Sequence, residues 1–282
     1  MTDHSPLQAD TAAAEILDAQ QAQEAIAVVV VVSGRPELVG RRVAIRRSHD
    51  GEFRRVGSFG DGGLDAGALE LARGTLEDHR LSAEGVHELA SSSGETISVY
   101  VEGHHPRPDL VIVGAGHIAQ PLCTVGALLG FRVIIVDDRP EFATRERFPE
   151  ASRIMRVDFS DPFADVPLHS TSHVVLVTRG HKYDFECLRH LLRSEVEPPY
   201  VGMIGSRRRV RAAFSQLSGE GLDRDRLSRV KAPVGLDIGA ETPIEIAVAV
   251  AAEIVLEWRG GSATPLSQKE RILDRFFKET EL

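Results

Sequence analysis

Cysteine is almost missing from this chain: Cys123 and Cys187 are the only two in 282 residues. Neither stands in a CxxC or ligand-spaced cluster, which excludes a disulfide framework and argues against a structural zinc site. Lysine is nearly as scarce, with Lys182, Lys231, Lys269 and Lys278 alone, and no Tyr-x-x-x-Lys pair of a hydride-transfer enzyme occurs. Long apolar runs are absent too. The longest, Ala25 to Val32, has eight residues, against about 20 for a membrane helix; it reads as a strand, and no membrane partner is expected. Basic excess is lacking. The formal charge is −9, and residues 1–106 hold 17 acids against nine arginines, a net of −8. Nucleic-acid binding finds no support in that balance, whereas a small anion held by local arginines stays open. No basic-then-apolar leader opens the chain, so a cytoplasmic location is expected.

What is present is a mixed front segment followed by a regular alternation of strands and helices. Thr11 to Glu24, rich in Ala, Gln and Glu, predicts a helix. The Ala25–Val32 strand that follows is apolar on both faces, which places it inside a sheet. Arg42 to Arg47 and Phe53 to Ser58 flank His49-Asp50-Gly51 and predict a hairpin. Leu64 to Asp78 has helical spacing, and Thr96 to Val101 reads as a closing strand. His104 to Pro108 is a Pro-stiffened linker. Its paired histidines lack a nearby third ligand, and no metal site is expected. The fold class that follows is α/β: a small α+β domain over residues 1–106, then a Rossmann-like domain over residues 107–282 with a parallel sheet and helices on both faces.

The most informative stretch is Leu110 to Asp138, LVIVGAGHIAQPLCTVGALLGFRVIIVDD. A short apolar strand enters Gly114-Ala115-Gly116, a helix-period segment runs from about His117 to Leu129, and a second strand, Arg132 to Val136, ends in two aspartates. This is a dinucleotide fingerprint in its strand–turn–helix–strand setting. Gly114 permits the turn, Gly116 lets the backbone approach a pyrophosphate, and Ala119 allows close helix–strand packing. Asp137, 21 residues after Gly116, stands near the place of a ribose-binding acid. Beyond it the pattern predicts a short helix over Phe142 to Phe148 and strands at Arg153 to Val157, Val174 to Val177, Tyr200 to Ile204 and Val234 to Ile238. Helices are predicted over Asp184 to Ser194 and Arg207 to Leu217. A capping box at Thr242-Pro243-Ile244-Glu245 opens another, reaching about Trp258. A last helix, Ser267 to Glu279, carries an apolar stripe of Ile272, Leu273, Phe276 and Phe277 that must bury against its own domain or a partner.

Ligands of open parallel sheets bind beyond the carboxyl ends of the strands, and the unusual residues fall there. His117 follows the glycine turn as a ligand-facing or capping group. Arg179 and His181 follow the fourth strand; His181 is a candidate acid/base or hydrogen-bond donor, or an ordinary loop histidine. Ser206, Arg207, Arg208 and Arg209 open a helix, an arrangement suited to phosphate or to a solvated basic face. Asp237 and Glu241 are candidates to hold a cation or a pterin-like base, or to order the loop before the capping box.

Five segments, GAGHIAQPL, VDDRPEFATRERFP, VTRGHKYD, VGMIGSRRRV and PVGLDIGAETPIEIA, resemble in order and spacing the C-terminal Rossmann domain of the XdhC/CoxI family, over roughly Asp109 to Glu257. The resemblance implies an accessory protein rather than an enzyme. Such a protein binds molybdenum cofactor, as molybdopterin or a dinucleotide, and holds it for sulfuration by a cysteine desulfurase. It then delivers the cofactor to the apoenzyme of a xanthine dehydrogenase-type molybdenum hydroxylase. A homodimer is expected. The alternatives are an NAD(P)-dependent oxidoreductase and a nucleotide-sensing module. The family's glycine-rich motif ending Gly-Gly-Cys corresponds here to Gly57 to Asp65, with Gly63 where the cysteine falls, which puts metal coordination by the first domain in doubt.

Overall fold

A computed structural model describes residues 7–48, 51–77, 84–169 and 171–270. The chain divides into two units, Met1–Arg107 and Pro108–Leu282. In the first, β1 (Ala25–Ser33) carries branched side chains on both faces and lies at the centre of an antiparallel sheet. Its neighbours are β2 (Arg42–Arg47), β3 (Phe53–Val56), β4 (Gly85–Ala90) and β5 (Thr96–His104), in the order β3-β2-β1-β5-β4. Alternation sends Ala27, Val29 and Val31 under α2 (Gly62–Glu77), whose Leu64, Ala68, Ala72 and Leu76 recur at helical spacing. Ile26 and Val28 turn to α1 (Ala9–Gln21) on the other face. Strand β4 was not expected. It is an edge strand whose alternate positions carry Val86 and Glu88 to solvent, a pattern too polar to stand out. The hairpin β2–β3 forms as expected; its residues 49 and 50 lie outside the described set.

The second unit is a six-stranded parallel sheet in the order β11-β10-β9-β6-β7-β8. The strands are β6 (Asp109–Val113), β7 (Arg132–Asp137), β8 (Arg153–Arg156), β9 (Ser172–Leu176), β10 (Tyr200–Met203) and β11 (Val230–Lys231). Leu110, Ile112, Val133 and Ile135 pack under α3 (Ala119–Leu128) and α7 (Pro243–Arg259). Val111, Val113, Ile134 and Val136 pack on the other face, under α4 (His181–Arg193) and α5 (Arg207–Gly219). Burial on both faces explains why these strands read as unbroken apolar runs. The capping box of α7 is formed, with Thr242 and Glu245 satisfying each other's backbone, and Gly260 ends the helix at φ 69°. A short α6 (Arg224–Ser228) precedes β11, and α8 (Leu266–Glu270) is the described part of the last predicted helix. Its apolar stripe lies outside the described residues.

Three expectations are corrected. Phe142 to Phe148 forms successive turns, not a helix: Pro140 precedes it, and its side chains are engaged in the site described below. The sixth strand is Val230–Lys231 rather than Val234 to Ile238. Pro233 has no N–H to give a ladder, and Gly235 at φ 104° turns the chain onto α7, where Leu236 N donates to Ala249 O. Helix α3 begins at Ala119, two residues later than expected, after a turn that includes His117. Among the described residues no helix is long and apolar enough to cross a membrane.

Candidate functional site

From β6 the chain moves outward to β7 and β8, then returns to the other side at β9. The reversal leaves a crevice beyond the ends of β6 and β9, where open α/β sheets take ligands. Two helices start there, α3 after β6 and α4 after β9, and neither has a side-chain cap. Their first N–H groups and the positive ends of their dipoles point at the crevice. Gly114, at φ 109°, is pressed against the end of β9: a Cβ there would lie 2.6 Å from Val177 O. Gly116 differs, for a Cβ on it would meet nothing within 4 Å. One glycine serves the packing, and the other faces open space. His117 and His181, the latter the first residue of α4, are both exposed at this mouth.

Asp137 is not available as a free carboxylate. It is 1% exposed, and four hydrogen bonds fill its acceptor positions. Oδ2 accepts from Ala115 N at 2.6 Å and Arg139 Nη2 at 2.9 Å; Oδ1 accepts from Arg139 N and Nε, both at 2.9 Å. Burial alone raises its pKa, but the hydrogen bonds from Arg139 and Ala115 outweigh it and bring the carboxyl from 3.8 down to about 2. A depressed folded-state pKa stabilises above the unfolded value and is lost as pH falls through the folded one. The second unit is therefore expected to lose about 2 kcal/mol between roughly pH 4 and pH 2 from this group. Urea titrations at about pH 5 and about pH 2.5 test it, with Asp137→Asn flattening the difference.

Asp138 is engaged as well. Arg179 donates to its Oδ1 at 2.6 Å through Nη1 and to its Oδ2 at 2.8 Å through Nη2, and Nη2 also reaches the Tyr183 hydroxyl at 2.5 Å. The Arg179 guanidinium lies 4.3 Å over the Tyr183 ring. Because β6 lies between β7 and β9, this pair joins the two strands that flank the glycine turn. It is solvent-facing, so it holds with about 0–1 kcal/mol, and Arg179 can exchange a carboxylate for a phosphate at little cost.

Arg209, predicted as a phosphate donor, is a brace instead. It pairs with Asp184 Oδ2 and donates through Nη2 to Thr178 O at 3.1 Å, while Thr178 Oγ1 donates to Asp184 Oδ1 at 2.5 Å. Burial raises the pKa of Asp184, partly offset by Thr178 and Arg209. Ser206 caps α5, its Oγ accepting from Arg209 N at 3.3 Å. Arg207 and Arg208 are exposed, and Arg207 lines a 530 Å³ groove with Val210, Phe214 and Pro233. Asp237 and Glu241 are exposed in the loop before α7. The predicted rim thus splits. Gly114, Gly116, His117, Asp137, Arg179 and His181 surround the switch point. Ser206, Arg207 and Arg208 follow β10 at the start of α5, and Asp237 and Glu241 lie in the loop before α7.

The sequence places Arg139 with Asp137 and Asp138 at the rim but gives no role to Phe142 and Arg147. The Arg139 guanidinium lies over the Phe142 ring at 3.8 Å and that of Arg147 over the same ring at 4.8 Å, and Arg147 Nη2 donates to Ala115 O at 3.1 Å. Two arginines bracketing an aromatic just past an acidic strand end were the available signal. Among the described residues no cluster of three His, Cys, Asp or Glu could hold a metal ion. In the first unit, Gly63 N donates to Asp61 Oδ1 and to Ser92 Oγ, and a Cβ at Gly63 would lie 2.8 Å from Ser92 N. The backbone is closed around the position that corresponds to the motif's cysteine.

Known proteins resemble the chain in sequence and in fold. The profile of the XdhC Rossmann domain matches residues 110–254, just over half of the chain. YqeB of Escherichia coli K12, named only as uncharacterized, is 30% identical over 247 residues, 85% of this chain and 44% of its own length. A Bacillus subtilis protein named as a probable xanthine dehydrogenase subunit is 32% identical over 161 residues, 57% of this chain and 46% of its own. The chain thus spans a little under half the length of these curated relatives. A solved Bacillus halodurans structure, titled a xanthine dehydrogenase, is similar with a TM-score of 0.65 over 90% of this chain and 69% of that one, at 21% identity, which speaks to fold alone. By the extent of the profile match and the fold that carries it, the chain belongs to the XdhC Rossmann-domain family.

Proposed function

We propose that this protein is an accessory factor for a xanthine dehydrogenase-type molybdenum hydroxylase. It binds molybdenum cofactor as cargo, keeps it while a cysteine desulfurase supplies sulfur, and passes it to the apoenzyme. The observation that carries this reading is the open space in front of Gly116 between the uncapped starts of α3 and α4. Such a place suits a phosphate, because backbone donors and helix dipoles favour an anion without a counter-charge of their own. Arg179 adds a displaceable guanidinium at the same mouth, and the exposed imidazoles of His117 and His181 offer polar edges to a heterocycle. The family profile and the Bacillus subtilis relative's name support the hydroxylase connection.

A thiolate ligand to molybdenum has no source in this chain. Both cysteines are buried, and burial pushes the Cys123 thiol up to about 12 and the Cys187 thiol upward as well. The cargo is held through its phosphate and pterin, with the metal keeping its own ligands. The test is uptake of molybdenum–molybdopterin by the purified full chain, read as the fluorescence of its oxidised pterin after gel filtration. Wild type is expected to carry near-stoichiometric pterin and Arg179→Ala about tenfold less at limiting cargo. A wild-type protein that emerges without pterin sinks the proposal.

A further inference from the structure

A dinucleotide-binding Rossmann unit needs a free acceptor at the end of its second strand for the ribose diol, or an open arginine for a ribose phosphate. Here the second strand is β7, and its last residue, Asp137, is filled by Ala115 and Arg139, while its neighbour Asp138 is paired with Arg179 at the surface. The arginine that follows is not open either. Arg139 lies over the Phe142 ring, Arg147 lies over the same ring, and Arg147 is tied to Ala115 O. The contacts close a ring: Ala115 N to Asp137, Asp137 to Arg139, Arg139 to Phe142, Phe142 to Arg147, Arg147 to Ala115 O. It starts and ends on the middle residue of the glycine turn. The ground beyond β7, where the second nucleoside of a dinucleotide would lie, is taken by the chain's own side chains.

We infer that Arg139 and Phe142 form a latch that closes the ribose subsite, so that the crevice accepts a heterocycle ending in a phosphate monoester and rejects one extended by a second nucleoside. This rests on the reading that the crevice takes a phosphorylated pterin, and it narrows that reading. A phosphate monoester held at the open, uncapped starts of α3 and α4 makes no demand on the ground beyond β7. A dinucleotide form, or NAD, must break the hydrogen bonds that neutralise a buried carboxylate and leave Asp137 with fewer donors. Charge-assisted bonds of that kind make the opening worth at least about a hundredfold in affinity.

The experiment measures binding of molybdenum–molybdopterin, of the same cofactor extended by cytidine monophosphate, and of NAD to the full chain. Each is read by calorimetry or pterin fluorescence, with thermal melting recorded alongside. Wild type is expected to prefer the monophosphate by about a hundredfold and to show no NAD binding. Arg139→Ala frees the acceptor positions on Asp137 that its side chain occupies, and the preference should fall to within a few-fold. Phe142→Ala, which leaves both arginines in place but removes their support, should give an intermediate ratio and serves if Arg139→Ala melts too low to assay. Equal binding of the two cofactor forms by wild type overturns the latch and leaves the proposed function standing. Binding of neither overturns the proposed function and the latch with it. A preference that persists undiminished in both variants assigns discrimination to other residues and overturns the role given to Arg139.

Discussion

Gly114→Ala is expected to destabilise the parallel-sheet unit severely, whereas Gly116→Ala should leave its stability unchanged and weaken cargo binding about a hundredfold. The two glycines stand two residues apart in the same turn, yet their surroundings differ completely. At Gly114 a methyl would lie 2.6 Å from Val177 O and 2.9 Å from Val177 C, on a backbone at φ 109°. The obstacle is main chain at the end of a central strand, so nothing flexible can give way. Left-handed strain alone costs about 1–2 kcal/mol, and the displaced strand end brings the loss to about 3–5 kcal/mol, a large share of a domain's total. At Gly116 a methyl meets no atom within 4 Å, so the expected change is within about 0.5 kcal/mol. That methyl fills the approach to the α3 amino end, and affinity for molybdenum–molybdopterin should fall about a hundredfold. Melting curves and pterin binding on the two variants decide both halves. Wild-type affinity in Gly116→Ala removes the crevice from consideration, and a wild-type melting point in Gly114→Ala contradicts the packing at the end of β9.

Arg209→Ala carries the second large expected effect, and its pH dependence distinguishes it from an ordinary loss of packing. Asp184 is 0% exposed and holds its charge beside Arg209 and Thr178. Removing the guanidinium strands a buried carboxylate, a change that costs about 3–5 kcal/mol. Burial already raises the pKa of Asp184 above its ordinary 3.8, and loss of Arg209 raises it further. A group whose folded pKa is raised contributes its stability below the unfolded pKa and loses it as pH rises through the folded value. The variant should therefore be closest to wild type near pH 4 and fall away towards neutrality, losing up to about 1.4 kcal/mol per pH step of one until the folded carboxyl ionises. Asp184→Asn in the same chain removes the charge and should restore most of the loss at pH 7. A defect independent of pH, or one unrelieved by Asp184→Asn, would falsify the brace. Arg209 is thus occupied in holding the end of β9 to α4 and α5.

The fingerprint was legible because its parts are local. A buried strand, a glycine turn, a small residue at Ala119 and an acidic strand end fall within about thirty residues, and each has a backbone reason to be there. The start of α7 was legible for the same reason, its capping box and proline being contiguous. What could not be read is which charged side chain spends itself on which. Arg179 and Asp138 are 41 residues apart, and Arg209 and Asp184 are 25 apart; in the sequence those arginines look no different from Arg207 and Arg208. Asp137 and Asp138 are likewise adjacent and identical in type, yet alternation along β7 buries the first against the glycine turn and leaves the second half-open. Strand β4 was missed because an edge strand with Glu88 and His87 has no apolar signature. The last strand was misplaced because the apolar letters after Pro233 serve the packing of a loop on α7.

Both sulfhydryls sit at zero exposure inside the two cores of the parallel-sheet unit. Under the proposed role, neither thiol is within reach of a sulfur donor, so neither would carry a persulfide on the way to a cargo in the crevice. Sulfur would have to be brought by the donor protein itself, and the mouth between α3 and α4 would have to admit part of that donor as well as the cofactor.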